Sequence, residues 1–252
     1  MELLLVTTAS FAAGFVDAIV GGGGLLLVPA MFASFPNAHP ATLFGVNKSA
    51  SVWGTSAAAW QFSRRVHMPW ASLWPAVVLA LLGSLLGAWL VTQVSPTYFR
   101  QALPVVLLLV LLYTLAKKDM GREHKPKHAL AMQRLIMCGL GLTLGFYDGF
   151  FGPGTGSFLV FAMVRWLGFD FLNASASAKV LNLASNVAAF GLFAATGHVW
   201  WHLVVFIALA NVAGSVLGTR LALRHGSGFV RIAFMVVVSL LICKTAWDAY
   251  AL

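Results

Sequence analysis

Charge is what this sequence has least of. Asp, Glu, Lys and Arg make up 9% of its 252 residues, and only 7 of them are acidic. A soluble domain of this length could not cover its outside with so few ionised side chains. Cysteine is nearly absent as well. Cys138 and Cys243 both fall inside apolar runs, so no disulfide framework is expected. The chain has no HExxH, no GxSxG, no Cys/His cluster and no carboxylate pair set for hydrolysis, so nothing argues for an enzyme or a metal site. His39, His124, His128, His202 and His225 show no metal-ligand spacing, and no cofactor is expected. The start, Met-Glu-Leu-Leu-Leu, has no basic n-region, and a cleaved signal peptide is not expected.

What remains is apolar: 60% of the residues are hydrophobic and the mean hydropathy is +0.87. Several runs approach the ~20 residues that cross ~30 Å of hydrocarbon. These features indicate a multi-pass, all-α protein of the cell (inner) membrane. The net charge of +9 comes from basic residues in short loops between apolar segments. That is a topogenic distribution, and it excludes nucleic acid as a partner.

The chain is duplicated. At an offset of 131 residues, Gly14-Phe15-Val16-Asp17 meets Gly145-Phe146-Tyr147-Asp148, Lys48 meets Lys179, and His67 and Trp70 meet His198 and Trp201. Each half reads as one interrupted segment followed by three cleaner ones. The first half gives residues 3–35 (broken at Gly21–Gly24), 41–62, 71–94 and 102–116. The second gives 131–167 (broken at Gly152–Gly156), 172–195, 202–223 and 229–249. The domain reading is therefore a first repeat over 1–116, a basic cytoplasmic linker over 117–130 and a second repeat over 131–252, with 8 to 10 helical segments in all.

Loop charges separate two topologies. With the linker in the cytoplasm, four crossings per half would place Arg100, Arg165, Arg220, Arg224 and Arg231 outside and nine basic residues inside. If the interrupted segment of each half instead enters and returns, only Arg100 and Lys244 lie outside and twelve lie inside. The positive-inside rule favours the second arrangement, an inverted repeat with two broken or re-entrant elements.

Gly21-Gly22-Gly23-Gly24 cannot be a stable helix interior, since each Gly costs about 0.5–1 kcal/mol relative to Ala. Its counterpart, Gly152-Pro153-Gly154-Thr155-Gly156, adds a proline. Irregular backbone at membrane depth survives only inside protein or beside a watery cavity. A helix restarting there points free N–H groups and a positive dipole end at whatever the cavity holds, which suits an anion. The alternative is close helix packing, and the Gly83/Gly87 and Gly214/Gly218 pairs are assigned to that role.

Lys48 lies about 12 Å into its helix, counted from Pro40 at 1.5 Å per residue, and Lys179 is similarly deep. Lys48 shares a face with Ser51 and Thr55, as Lys179 does with Asn182 and Asn186, and Asn47 flanks the first lysine. A buried lysine is paired, snorkels to an interface, or faces a functional cavity. The recurrence of the stripe in both halves points to a central anion site. Asp17 and Asp148 precede the two breaks and have three open roles: lysine counter-ions, proton carriers, or caps for freed backbone. His67 and His198, beside Trp70 and Trp201, read as interfacial residues.

The run Ala13 to Leu25 with Pro29, the Asn47-Lys48 pair, and Gly145-Phe146-Tyr147-Asp148-Gly149-Phe150-Phe151-Gly152-Pro153-Gly154-Thr155-Gly156 resemble the sulfite exporter TauE/SafE family. Ala178-Lys179-Val180-Leu181-Asn182, Ser185-Asn186 and Gly197-His198-Val199-Trp200 continue the likeness across the chain. The resemblance implies transport of sulfite, sulfonates or other small organic or sulfur-containing anions across the cytoplasmic membrane. Thr155 replaces Gly24 and Ala178 replaces Asn47 between repeats, so the two half-sites are not chemically equal.

The expectation is a secondary transporter working by alternating access. Lys48 and Lys179 would supply charge, Gly21 to Gly24 with Gly152, Gly154 and Thr155 would supply N–H donors, and Asn47, Ser51, Thr55, Asn182 and Asn186 would orient the anion. An anion channel and a non-transporting assembly subunit are the alternatives. The partners expected are the anion and the bilayer, with protons if the aspartates couple, and with room left for a homodimer.

Overall fold

The computed structural model describes residues 2–94 and 124–250. In its last helix, side chains are described up to residue 226 and at 229 and 232. The expected segment 102–116 lies outside the described residues. The described chain is all-helical: α1 Glu2–Val20, α2 Gly24–Ser34, α3 Pro40–Ser63, α4 Trp70–Gln93, α5 Leu130–Phe150, α6 Thr155–Ala162, α7 Phe171–Ala195 and α8 Trp201–Tyr250. A π-helical turn, Met163–Leu167, extends α6, and α8 is broken at Gly226, where φ is 70°. Among the described residues, five helices are long and apolar enough to span a bilayer: α1, α4, α5, α7 and the Trp201–Gly226 part of α8. α3 has 24 residues, a length of about 36 Å at 1.5 Å per residue, but Asn47, Lys48, Ser49, Ser51 and Thr55 make it more polar.

The matched helices of the two halves start 131 residues apart: α2 and α6 at 24 and 155, α3 and α7 at 40 and 171, α4 and α8 at 70 and 201. Even the caps correspond. His39 accepts from Ala41 N–H at the start of α3 with Pro40 at the first helical position, and Asp170 accepts from Asn173 N–H at 2.8 Å at the start of α7.

Each break reverses the chain. Gly23 lies against Ala13 O and the Asp17 side chain, so α2 folds back beside α1. In the second half the Tyr147 and Phe158 rings meet edge to face at 5.5 Å, and the Tyr147 hydroxyl donates to Pro153 O at 2.7 Å. The turn needs glycine at matching places, because Gly21 and Gly152 have φ of 81° and 87°. The two breaks also touch: Ser157 N–H donates to Gly21 O at 2.6 Å and Ser157 Oγ to Val20 O at 3.2 Å.

The first helix of each half packs on the fourth helix of the other, α1 on α8 and α5 on α4. Glycine makes this possible. A Cβ on Gly83 or Gly87 would strike Leu142 O or Phe146 O, and on Gly214 or Gly218 it would strike Phe11 O or Phe15 O. The packing role expected for these four glycines is the one they occupy. The serine after each pair's first glycine bonds instead to a central helix: Ser84 Oγ donates to Ser185 O of α7 and Ser215 Oγ to Gly54 O of α3, both at 2.6 Å.

α3 and α7 run antiparallel through the centre. Leu43, Phe44, Val46 and Ala50 near the start of α3 share one apolar cluster with Ala189 and Phe193 near the end of α7. Ala58 and Phe62 near the end of α3 share the other with Phe171, Ala174 and Ala178 near the start of α7. Polar side chains of both helices lie between these two clusters.

Candidate functional site

Lys48 and Lys179 both end beside the helix breaks, but in different ways. Each is almost fully buried, at 2% and 1% exposure. Each pairs with the aspartate of the opposite half: Lys48 Nζ lies 2.6 Å from Asp148 Oδ2, and Lys179 Nζ lies 3.0 Å from Asp17 Oδ2. Ser185 Oγ donates to the same Asp148 oxygen at 2.6 Å, while the other oxygen of Asp17 accepts from Gly23 N–H at 3.3 Å. Taken as ionised groups, the two lysines and two aspartates sum to zero.

Lys48 also donates to Asn186 Oδ1 at 2.9 Å, and the Asn186 amide donates to Thr55 Oγ1 at 3.3 Å. Thr55 and Asn186 stand 131 positions apart, so this bond joins matching places of the two halves. Lys179 instead donates to the Asp17 main-chain carbonyl as well as the carboxylate, which ties its amine to the end of α1.

A cavity of about 20 Å3 lies between the breaks. That is room for one or two waters. Asp17, Gly21, Gly23, Gly24, Asn47, Lys48, Ser51, Thr55, Asp148, Gly152, Gly154, Thr155, Asn182 and Asn186 line it, all of them picked out in the sequence. Gly22 and Lys179 were also picked out and do not line it. Its amine is therefore Lys48 alone. The lining also includes Ala13, Gly156 and Asn211, which lie outside the expected site residues, although Gly156 was read as part of the second break. Asn211 carried a usable signal, as an amide in the apolar run Ala208 to Val212. It donates to Ser10 O at 3.1 Å, and Ala80 stands at its repeat position.

Two features leave hydrogen-bonding capacity at this cavity. Asn47 is 3% exposed and its Oδ1 has no partner. Among the described residues, the N–H group of Gly24, the first residue of α2, meets no protein acceptor. Buried groups of this kind are rare unless something transient satisfies them. Among the described residues no group of three His, Cys, Asp or Glu side chains is placed to hold a metal ion.

Residues 6–245 match the model of the sulfite exporter TauE/SafE family. The chain belongs to that family. Relatives named as membrane transporters cover nearly all of it. A "Probable membrane transporter protein" of Haemophilus influenzae is 34% identical over 250 residues, covering 98% of this chain and 95% of the relative. "Probable membrane transporter protein ORF9" of Sinorhizobium sp is 36% identical over 239 residues, 94% of this chain and 89% of the relative. "Probable membrane transporter protein YfcA" of Escherichia coli is 33% identical over 238 residues, 94% and 87% of the two chains. No solved structure matches this TauE/SafE chain.

Proposed function

We propose that this TauE/SafE protein is a secondary transporter that moves a small anion (sulfite, a sulfonate or another small sulfur-containing or organic anion) by alternating access. The observation that carries the reading is a buried amine, Lys48, at the wall of a polar cavity flanked by two helix starts. The Asn47 amide, whose Oδ1 meets no partner among the described residues, can turn its NH2 to an anion, and Gly24 offers a main-chain donor. A cavity of about 20 Å3 holds one or two waters rather than a watery path, which favours the carrier over the channel.

Three contacts support inversion of the repeats. α3 and α7 are antiparallel. Lys127 of the linker donates to Arg165 O at 2.8 Å, putting Arg165 on the linker's side. Arg64 and Arg65 line one cleft with Arg220 and Arg224. Four crossings per half would make α3 and α7 parallel and would separate the other two sets of residues across the membrane. Inverted halves can exchange conformations at little energetic cost, and rocking one against the other would open the cavity to alternate sides.

The neutrality of the four ionisable groups sets the coupling. An anion entering beside Lys48 competes with Asp148 for the same ammonium and adds a negative charge to a neutral cluster, which a co-transported proton would offset. The anion and proton then travel together. Proteoliposomes carrying an internal pH dye test this, with sulfite and short sulfonates as cargoes. Proton movement should accompany anion flux, and Asp148→Asn should abolish the proton movement. Unchanged anion flux in folded protein carrying both Lys48→Ala and Lys179→Ala would end the site assignment.

A further inference from the structure

A second basic feature lies away from the central cavity. Arg64 and Arg65 at the end of α3 and Arg220 and Arg224 on α8 line a cleft of about 620 Å3, with Trp60 and Leu223 on its walls. The first two arginines come from one repeat and the last two from the other. All four are exposed. Among the described residues, none of the four arginines meets a carboxylate. Arg220 and Arg224 stand at i and i+4 on one helix face, where like charges repel. Arg64 Cζ sits 5.2 Å from the Trp60 ring centroid, and that ring is 62% exposed at the mouth of the cleft.

The duplication provides an internal control. The counterpart crossing, α4 against α7, has Ala195, Thr196, Trp89 and Gln93 at the positions of Arg64, Arg65, Arg220 and Arg224. Packing of these helices therefore does not require arginine. One end of the molecule carries a four-guanidinium cleft and the other does not.

We propose that this cleft is a binding site for a phosphate group, filled by the headgroup of an anionic phospholipid. Guanidinium forks match phosphate oxygens two at a time, and basic clefts between membrane helices on the cytoplasmic side suit such headgroups. Trp60 and Leu223 offer an aromatic and an apolar wall where the glycerol and first acyl carbons would lie, which a free phosphate would leave unused. A lipid seated here touches both repeats and ties α3 to α8.

The test uses purified full-length protein in detergent, titrated with phosphatidylglycerol, with phosphatidylcholine and with inorganic phosphate at fixed ionic strength. Thermal midpoint and native mass spectrometry are the readouts. Phosphatidylglycerol is expected to raise the midpoint by several degrees and to remain bound as one or two copies, while phosphatidylcholine does neither. The Arg220→Gln/Arg224→Gln variant should weaken binding about tenfold or more, Arg220→Lys/Arg224→Lys should weaken it less, and the exposed control Arg165→Gln should not change it. An equal response of the Gln pair and the wild type overturns the proposal, as does an equal response to phosphatidylcholine. If inorganic phosphate alone reproduces the full shift, the cleft is a free-phosphate site and the lipid assignment fails. If the Gln pair does not fold, the Lys pair decides: unchanged lipid binding there overturns the proposal. Anion flux is read separately, so this outcome leaves the transport reading to its own test.

Discussion

Lys48 Nζ meets Asp148 Oδ2 at 2.6 Å, and the repeat counterparts Lys179 and Asp17 meet at 3.0 Å, so each lysine is neutralised by the other half of the molecule. The crossing makes both ion pairs bonds between repeats rather than within them. Any motion of one half against the other must stretch or exchange them.

Lys48→Ala leaves the Asp148 carboxylate buried with Ser185 as its remaining partner. Breaking a buried pair from one side costs about 3–5 kcal/mol. Lys48→Met combined with Asp148→Leu should recover most of that stability, because neither partner is then stranded, yet anion flux should stay lost. Unfolding in detergent and flux in proteoliposomes separate the two effects. Recovery of flux along with stability would show the pair to be purely structural.

The two lysines should differ. Lys48 lines the cavity and Lys179 does not, so Lys48→Arg should raise the KM for the anion several-fold. Lys179→Arg should act on stability, with little change in KM. Equal KM effects would mean the cavity gains the second amine during the cycle.

The break glycines should be unequal as well. Both have positive φ, which costs an alanine about 1–2 kcal/mol. A Cβ on Gly21 would also run into the Gly156 main chain, whereas on Gly152 its nearest neighbours are Asp148 O and Lys48 Nζ at 3.3 Å. Gly21→Ala should therefore lower the thermal midpoint clearly more than Gly152→Ala. Gly152→Ala should act mainly on flux, by pushing the Lys48 amine.

Ser84→Ala and Ser215→Ala each delete one interhelical bond, at matching places in the two halves. Each should cost about 0.6 kcal/mol, the average for such bonds in membranes. The double variant should show their sum, measured by unfolding in detergent.

Side-specific labelling checks the inverted arrangement. Single cysteines at Arg65, Arg165 and Arg224, in a background with Cys138 and Cys243 replaced, should all react with an impermeant maleimide from the same face. Opposite accessibility of Arg65 and Arg224 would restore the parallel reading.

Much of the site was legible because its residues are costly in a membrane. Lys48, Lys179, Asp17 and Asp148 stand out in apolar sequence, and the glycine breaks stand out from helical sequence. The fold class followed from hydropathy, and the helix starts follow the 131-residue offset closely. Asn211 escaped because it has no repeat counterpart. The unequal lysines escaped because Lys48 and Lys179 sit in stripes of the same spacing.

What the chain alone determined is local: which segments are apolar, where a helix must stop, and which polar groups share a helix face. Those properties depend on residues within a few positions of one another. Only the tertiary structure decided that Lys48 belongs to Asp148 and Lys179 to Asp17, and that a single amine lines the cavity. These partners are 100 or more positions apart, and they meet because glycine lets the fourth helix of each half close on the first helix of the other, while α3 and α7 dock antiparallel between them.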